Sequence, residues 1–219
     1  LKTQDFYQEQ LNSINGKKIK DYLSKRGFNS KIIEDFKLGF SDNKPSRLLK
    51  YIQKMNFSSD SMKKSGLFFE NEKGYFDRFK SRLIFPINNR NGDIIAFAGR
   101  IIDKSDKFAK YINSPETPLY NKSKTFYGLD KASNTIKKED SVILVEGYFD
   151  LMQLVQNGIK NVIAISGTSF TDMHASIIKQ YTSNIYIAFD GDAAGGKAAI
   201  RTGYTLLKNS IDSKIIDIP

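Results

Sequence analysis

The 219-residue chain contains no cysteine and a single histidine, His174. Without thiols there is no disulfide framework, no thiolate zinc site and no cysteine nucleophile. One imidazole likewise excludes a cage of several histidines. Long apolar runs are also missing: none approaches the ~18 residues of a membrane helix, and the first residues lack the apolar stretch of a secretory signal. What is present is a folding composition, with 40% hydrophobic and 26% charged residues, enough for one large domain or two small ones. The expectation is a soluble, intracellular, basic protein without a membrane partner.

Basic residues are in excess in one part only. The chain has 34 Lys+Arg and 24 Asp+Glu, a net of +10; residues 1–140 hold 28 against 17, and residues 141–219 hold six against seven. Clustered positive charge favours a polyanionic partner through counterion release, although a lysine-rich surface also serves solubility alone. The near-neutral second part points to a different task.

Periodicity and turn signals predict helices over residues 4–14, 17–25, 31–38 and 46–55. Strands are predicted over 75–87 and 94–102, joined by a hairpin turn at Asn91-Gly92-Asp93. In the first strand Arg78, Lys80 and Arg82 alternate, so they are predicted to share one face. Residues 103–124, with two prolines, read as a long irregular connection. Beyond Thr125 strands are predicted at 142–145, 162–165, 185–189 and 214–218. Helices alternate with them at 148–156, from a capping box Ser169-x-x-Asp172 to Tyr181, and at 193–209. This alternation is the pattern of a mostly parallel sheet between helices. The overall expectation is an α/β chain: an α+β subdomain at 1–124, then a parallel α/β subdomain at 125–219.

Ligands of parallel sheets sit at the carboxyl ends of the strands. Glu146 directly follows one predicted strand, and Asp190 directly follows another, with Asp192 two residues later; Asp150 opens the helix after Glu146. Carboxylates gathered at one edge repel each other unless a cation lies between them, and an all-oxygen set suits Mg²⁺ or Mn²⁺. Singly, such an acid more often caps the next helix. His174, without a second His or Cys, reads as a helix-surface or hydrogen-bonding residue. Gly191 to Ala198, G-D-A-A-G-G-K-A, approximates a phosphate loop, but Ala198 lacks the metal-binding hydroxyl and Asp190 and Asp192 would repel a triphosphate.

Val145-Glu146-Gly147-Tyr148-Phe149-Asp150, Gly167-Thr168 and Phe189-Asp190-Gly191-Asp192-Ala193-Ala194-Gly195 together resemble the Toprim domain of bacterial DnaG-type DNA primases. Arg26-Gly27, Asp77-Arg78-Phe79, the 82–86 stretch, Phe97-Ala98-Gly99-Arg100 and the run from Lys110 to Thr117 resemble the amino-terminal part of the same polymerase core. The last run is the most specific, because generic Toprim proteins lack it.

This resemblance implies a template-directed RNA polymerase making short primers on single-stranded DNA from ribonucleoside triphosphates, in the bacterial cytoplasm at the replication fork. It implies metal ligands at Glu146, Asp190 and Asp192, supported by Asp150. Nucleotide or template contacts are implied at Arg26, Arg78, Lys80, Arg82, Arg100, Lys110, Tyr111, Asn113 and Lys122. Lys80 stands where the family usually has Arg, and Ala98 where it usually has Gly. The family's zinc-binding domain, a further acidic motif and the helicase-binding domain have no counterpart here. Zinc, the replicative helicase and single-strand-binding protein are therefore implied only through such regions, and the chain reads as a core fragment. Three alternatives remain from the residues: a Toprim nuclease or topoisomerase-like protein, a non-enzymatic single-strand binding module, and an ATPase built on the 191–198 loop.

Overall fold

A computed structural model describes residues 1–102, 108–167 and 169–217. The chain divides into two compact units, Leu1–Ile87 with Ile94–Tyr120, and Asn88–Asp93 with Asn121–Pro219.

The first unit opens with helices α1 (Lys2–Asn12), α2 (Lys17–Lys25) and α3 (Ser30–Asp35). Helix α2 ends where Gly27 takes a φ of 81°, the left-handed geometry that glycine adopts without a Cβ penalty. Asn29 then caps α3 by accepting the Ile32 N–H at 2.9 Å. Strand β1 (Gly39–Ser41), helices α4 (Arg47–Gln53) and α5 (Ser59–Lys64), and strands β2 (Phe68–Asn71), β3 (Gly74–Asp77), β4 (Arg82–Asn88), β5 (Ile94–Ile101) and β6 (Tyr111–Asn113) follow. Four of these strands form a sheet in the order β1-β4-β5-β6, while β2 and β3 make a separate two-stranded sheet. Phe6, Tyr7, Leu48, Ile52, Phe79 and Phe97 belong to the core of this unit.

The predicted strand over 75–87 is two strands. Between β3 and β4 the backbone turns, with Ser81 at φ 56° and its N–H bonded to the Asp42 carbonyl at 3.0 Å. The turn drives Phe79 fully into the core. The period-two alternation therefore breaks: Lys80 is exposed, Arg78 half-buried and Arg82 buried, so the three do not share a face. Asp77 ends β3 and accepts the N–H groups of Leu48 and Leu49 at 2.9 Å each, fixing the start of α4 from across the unit. Residues 108–124 are less irregular than expected, because β6 pairs with β5 in the register Arg100↔Tyr111. The part of that predicted connection at 103–107 lies outside the described residues.

The second unit holds α6 (Leu129–Glu139), β7 (Val142–Val145), α7 (Tyr148–Gln156), β8 (Val162–Ala164), α8 (Asp172–Ile178), β9 (Ile185–Ile187), α9 (Ala193–Lys208) and β10 (Ser213–Ile215). Its sheet has the order β10-β9-β7-β8, and all its named strands run parallel. Val142, Leu144, Ile163, Ile185, Ile187 and Leu206 are among its core residues. Helix α8 starts later than predicted. Its cap is Thr171 rather than Ser169, with Thr171 Oγ1 accepting the His174 N–H and His174 Nδ1 accepting the Thr171 N–H, both at 3.2 Å. Strands β9 and β10 are shorter than predicted, and residue 218 of the last predicted strand lies outside the described residues. No described helix is long and apolar enough to cross a membrane.

Candidate functional site

The acid edge follows from topology. β7 pairs with β8 on one side and with β9 on the other, so the chain changes direction across the sheet beside β7. In parallel sheets that switch point opens a crevice at the carboxyl ends of the flanking strands. The register Leu144↔Ile187 places Glu146, just past β7, beside the segment that leads from β9 to Asp190. Helices α7 and α9 both begin at this edge, so their amino-terminal amides face the same end of the sheet.

The four acids do different things there. Glu146 is half-buried, and its Oε1 is a buried acceptor without a hydrogen-bond partner. Burial pushes its carboxyl above the ordinary range, and the charges of Asp190, Asp192 and Asp150 add to that. Asp190 is exposed at the strand end. Asp192 caps α9: its Oδ1 accepts the N–H groups of Ala194 at 2.9 Å and Gly195 at 2.7 Å. Asp150 Oδ2 accepts the Gly147 N–H at 3.0 Å, closing the first turn of α7. The capping expected of an isolated acid thus falls to Asp150 and Asp192, and Glu146 keeps a free ligand atom.

Among the described residues, no three acidic or histidine side chains converge closely enough to hold a metal ion. Two of the acids are turned to backbone amides instead. The donor set itself fits a hard divalent cation: every candidate ligand is oxygen, and Glu146 Oε1 is an unpartnered, partly desolvated acceptor, which is costly unless a cation or donor meets it. Gly195 allows this crowding. A Cβ there would lie 2.1 Å from the Asp190 carbonyl oxygen and 2.9 Å from Glu146 Oε1, so only glycine lets α9 start this close.

The same geometry weighs against the phosphate-loop alternative. The amides at the start of α9 that would cradle a phosphate are occupied by the Asp192 carboxylate. The Gly167-Thr168 element is described only in part. Gly167 has a φ of 81° and the neighbouring Ser166 N–H bonds the Glu146 carbonyl at 2.9 Å, while Thr168 lies outside the described residues. His174 is fully buried against the rings of Phe126 and Phe170, so its hydrogen-bonding role holds and a surface position does not.

Of the other predicted contacts, Lys122 sits half-buried in a short 3-10 turn, Lys122–Lys124, of the second unit. The rest lie in the first unit, where the structure brings several into one stack. Arg100 is buried; its Nη1 donates to Tyr111 Oη at 2.6 Å and its guanidinium lies 5.1 Å from the Tyr111 ring. On another side it lies 5.7 Å from the ring of Tyr22, which also carries the exposed Arg26 at 5.3 Å. Tyr22 is the residue that sequence reasoning missed. Its spacing of four from Arg26 on α2 was a signal, but its approach to Arg100 is a tertiary contact with no local trace.

Arg82 is turned inward. Its guanidinium donates to the carbonyls of Gly99, Ala109 and Lys110 at 3.0 to 3.3 Å. It braces the chain leading into β6, leaving the side chain of Lys110 exposed. Arg78 Nε donates to the Asn113 carbonyl at 3.1 Å, and its guanidinium lies over Phe69. Lys80 lies beside Asp42, Asp77 and Phe76 around a cavity of about 90 Å³.

Residues 6–133 match the family described as DNA primase catalytic core, N-terminal domain, and residues 143–219 match one described as Toprim-like. A DNA primase from Staphylococcus aureus strain COL is 36% identical over 219 residues, 99% of this chain and 36% of that protein. The Staphylococcus epidermidis DNA primase is 33% identical over 218 residues, 98% of this chain and 36% of that protein. The chain therefore spans little more than a third of the length of these relatives. The zinc-binding and RNA polymerase domains of the Aquifex aeolicus primase superpose with a TM-score of 0.90 at 34% identity, covering 99% of this chain and 53% of that one. A DnaG primase catalytic domain bound to single-stranded DNA superposes with a TM-score of 0.88 at 32% identity, covering 99% and 68%. Both units thus align with DNA primase cores, and the chain belongs to the DNA primase catalytic-core family.

Proposed function

We propose that this chain is the nucleotidyl-transferring core of a DNA primase, joining ribonucleoside triphosphates into short RNA primers on a single-stranded DNA template. The observation that carries the reading is the unpartnered Glu146 Oε1 at the switch point of the parallel sheet, with Asp190 and Asp192 at the same edge. Divalent-metal use is general among Toprim-containing primases, and Mg²⁺ or Mn²⁺ is the cation proposed here.

Glu146 and Asp190 would hold the cation, with Asp192 and Asp150 joining by giving up their amide bonds. When bound, it would offset negative charge on the reacting phosphate and acidify the attacking hydroxyl. The chain's own residues then bind and orient. Arg26 and Arg100, stiffened by Tyr22 and Tyr111, and the exposed Lys110 offer cationic contacts to nucleotide phosphates. Arg82 sets the position of Lys110 through its backbone. Arg78, Lys80, Asn113 and Lys122 are proposed to contact template or nucleotide. The growing primer's 3′-hydroxyl is the nucleophile, so no covalent protein intermediate is needed. Replicative helicase and single-strand-binding protein are proposed partners of other regions of the full-length primase, at the replication fork in the cytoplasm.

Labelled ribonucleotide incorporation on a single-stranded template, using the full-length protein, tests this reading. The expected result is Mg²⁺- or Mn²⁺-dependent incorporation that falls at least about a hundredfold in Glu146→Gln, with template affinity retained. Shortening of the labelled template strand in place of incorporation would assign the site to a nuclease.

A further inference from the structure

The separate β2–β3 hairpin has a face that the fold covers only in part. The register Phe69↔Phe76 puts the two phenylalanines side by side on one surface of the hairpin. They are 50% and 36% exposed. The alternate positions behave differently: Phe68 and Tyr75 meet edge to face at 6.3 Å, and Phe68 packs against the core of the unit. A hairpin with one face on a core ordinarily carries polar residues on the other. Here that other face carries two aromatic rings.

A cation completes the surface. The Arg78 guanidinium lies 4.6 Å from the centre of the Phe69 ring, and its Nε is fixed by the Asn113 carbonyl. Three planar groups therefore lie together on a basic background, since residues 41–80 hold nine Lys+Arg against five Asp+Glu. Four of those acids are engaged: Asp42 with Arg47, Glu70 with Lys63, Asp60 with Lys64, and Asp77 with the amides of α4. Lys73, in the β2–β3 turn, and Lys80 are exposed, and Lys80 lines a small cavity with Phe76. Exposed aromatics on a surface with a surplus of cations suit a polyanion with accessible π-faces, which single-stranded nucleic acid is and a duplex is not.

We propose that Phe69 and Phe76, with Arg78, form a stacking platform for unpaired bases of single-stranded DNA. The proposal rests on the template role given above to Arg78 and Lys80, and extends it from phosphate contact to base contact. Stacking on aromatic rings tolerates any sequence, so the platform would hold template without reading it.

The test is fluorescence anisotropy of labelled single-stranded DNA with the full-length protein at fixed salt, and of a duplex of the same length. Phe69→Ala and Phe76→Ala are each expected to weaken single-strand binding about 5- to 50-fold, Phe69→Tyr to restore it, and duplex binding to stay unchanged. In the wild-type protein, 5-iodouracil placed in the strand is expected to crosslink to Phe69 or Phe76. The platform is overturned if the double alanine variant binds single strands within twofold of wild type. It is equally overturned if duplex binding falls in parallel, or if the variant loses only self-association. Arg78→Ala with Lys80→Ala separates the two readings. If that pair weakens binding while the phenylalanine variants do not, the platform fails and the template surface stands; if neither changes binding, both fail.

Discussion

At the scale of single residues, the site depends on atoms placed where an ordinary side chain would not fit or would not stay unpaired. Gly195 and Gly196 are adjacent on α9, yet a Cβ on the first would collide with the Asp190 carbonyl and approach Glu146 Oε1, while one on the second meets nothing within 4 Å. Gly195→Ala is expected to destabilise the fold by about 1–3 kcal/mol through overpacking and to suppress incorporation. Gly196→Ala is expected to stabilise it by about 0.5–1 kcal/mol. Urea denaturation of the pair checks both signs. Tyr22 offers a second contrast. Tyr22→Phe keeps the ring between Arg26 and Arg100 and is expected to behave as wild type, whereas Tyr22→Leu is expected to raise the nucleotide KM about 3- to 10-fold with kcat little changed. Steady-state kinetics separates the two effects.

Elements show where sequence reading succeeds and where it stops. β7 and α7 occupy their predicted residues, because Val142 to Val145 is an uninterrupted apolar run and Asn157-Gly158 ends the helix. The break at Arg78–Ser81 was not legible, since Ser81 adopts a left-handed φ without glycine and the burial of Phe79 is a tertiary effect. α6 was missed because its apolar stripe is reduced to Leu129, Ala132 and Ile136. The start of α8 was misplaced because the capping partner at its third residue is His174, an unusual acceptor in place of Glu or Gln.

That cap carries a pH dependence. With Nδ1 accepting from Thr171, the His174 proton sits on Nε2, facing the Thr125 carbonyl at 3.4 Å. Burial lowers its pKa below the ordinary 6.5. The unfolded chain therefore binds a proton near pH 6.5 that the folded chain refuses, so stability falls as pH drops below 6.5 and stops falling once the folded imidazole titrates. NMR titration of this sole histidine, together with urea midpoints at pH 7.5 and 5.5, checks the sign. A titration midpoint at or above 6.5 in the folded protein would contradict it. His174→Gln is expected to remove this part of the pH dependence.

Across the whole molecule, the division of charge visible in the sequence corresponds to a division of chemistry. The acid edge was legible because parallel-sheet topology places residues after each strand at one end, so Glu146 and Asp190 were paired without knowing any contact. Which acids remain available was not legible, because capping by Asp150 and Asp192 depends on local backbone geometry. The basic residues were legible as a group but not individually: Arg82 and Lys110 have adjacent places in the structure, one buried on carbonyls and the other facing solvent. In the proposed function the acid edge, and not the glycine-rich start of α9, is where cation and triphosphate meet. Anomalous diffraction from crystals soaked with Mn²⁺ and a ribonucleoside triphosphate tests it most directly. Mn²⁺ is expected on Glu146 and Asp190, with Asp192 released from the Ala194 and Gly195 amides. Triphosphate wrapped by residues 191–198, with Lys197 on its outer phosphates and no Mn²⁺ at Glu146, would contradict it.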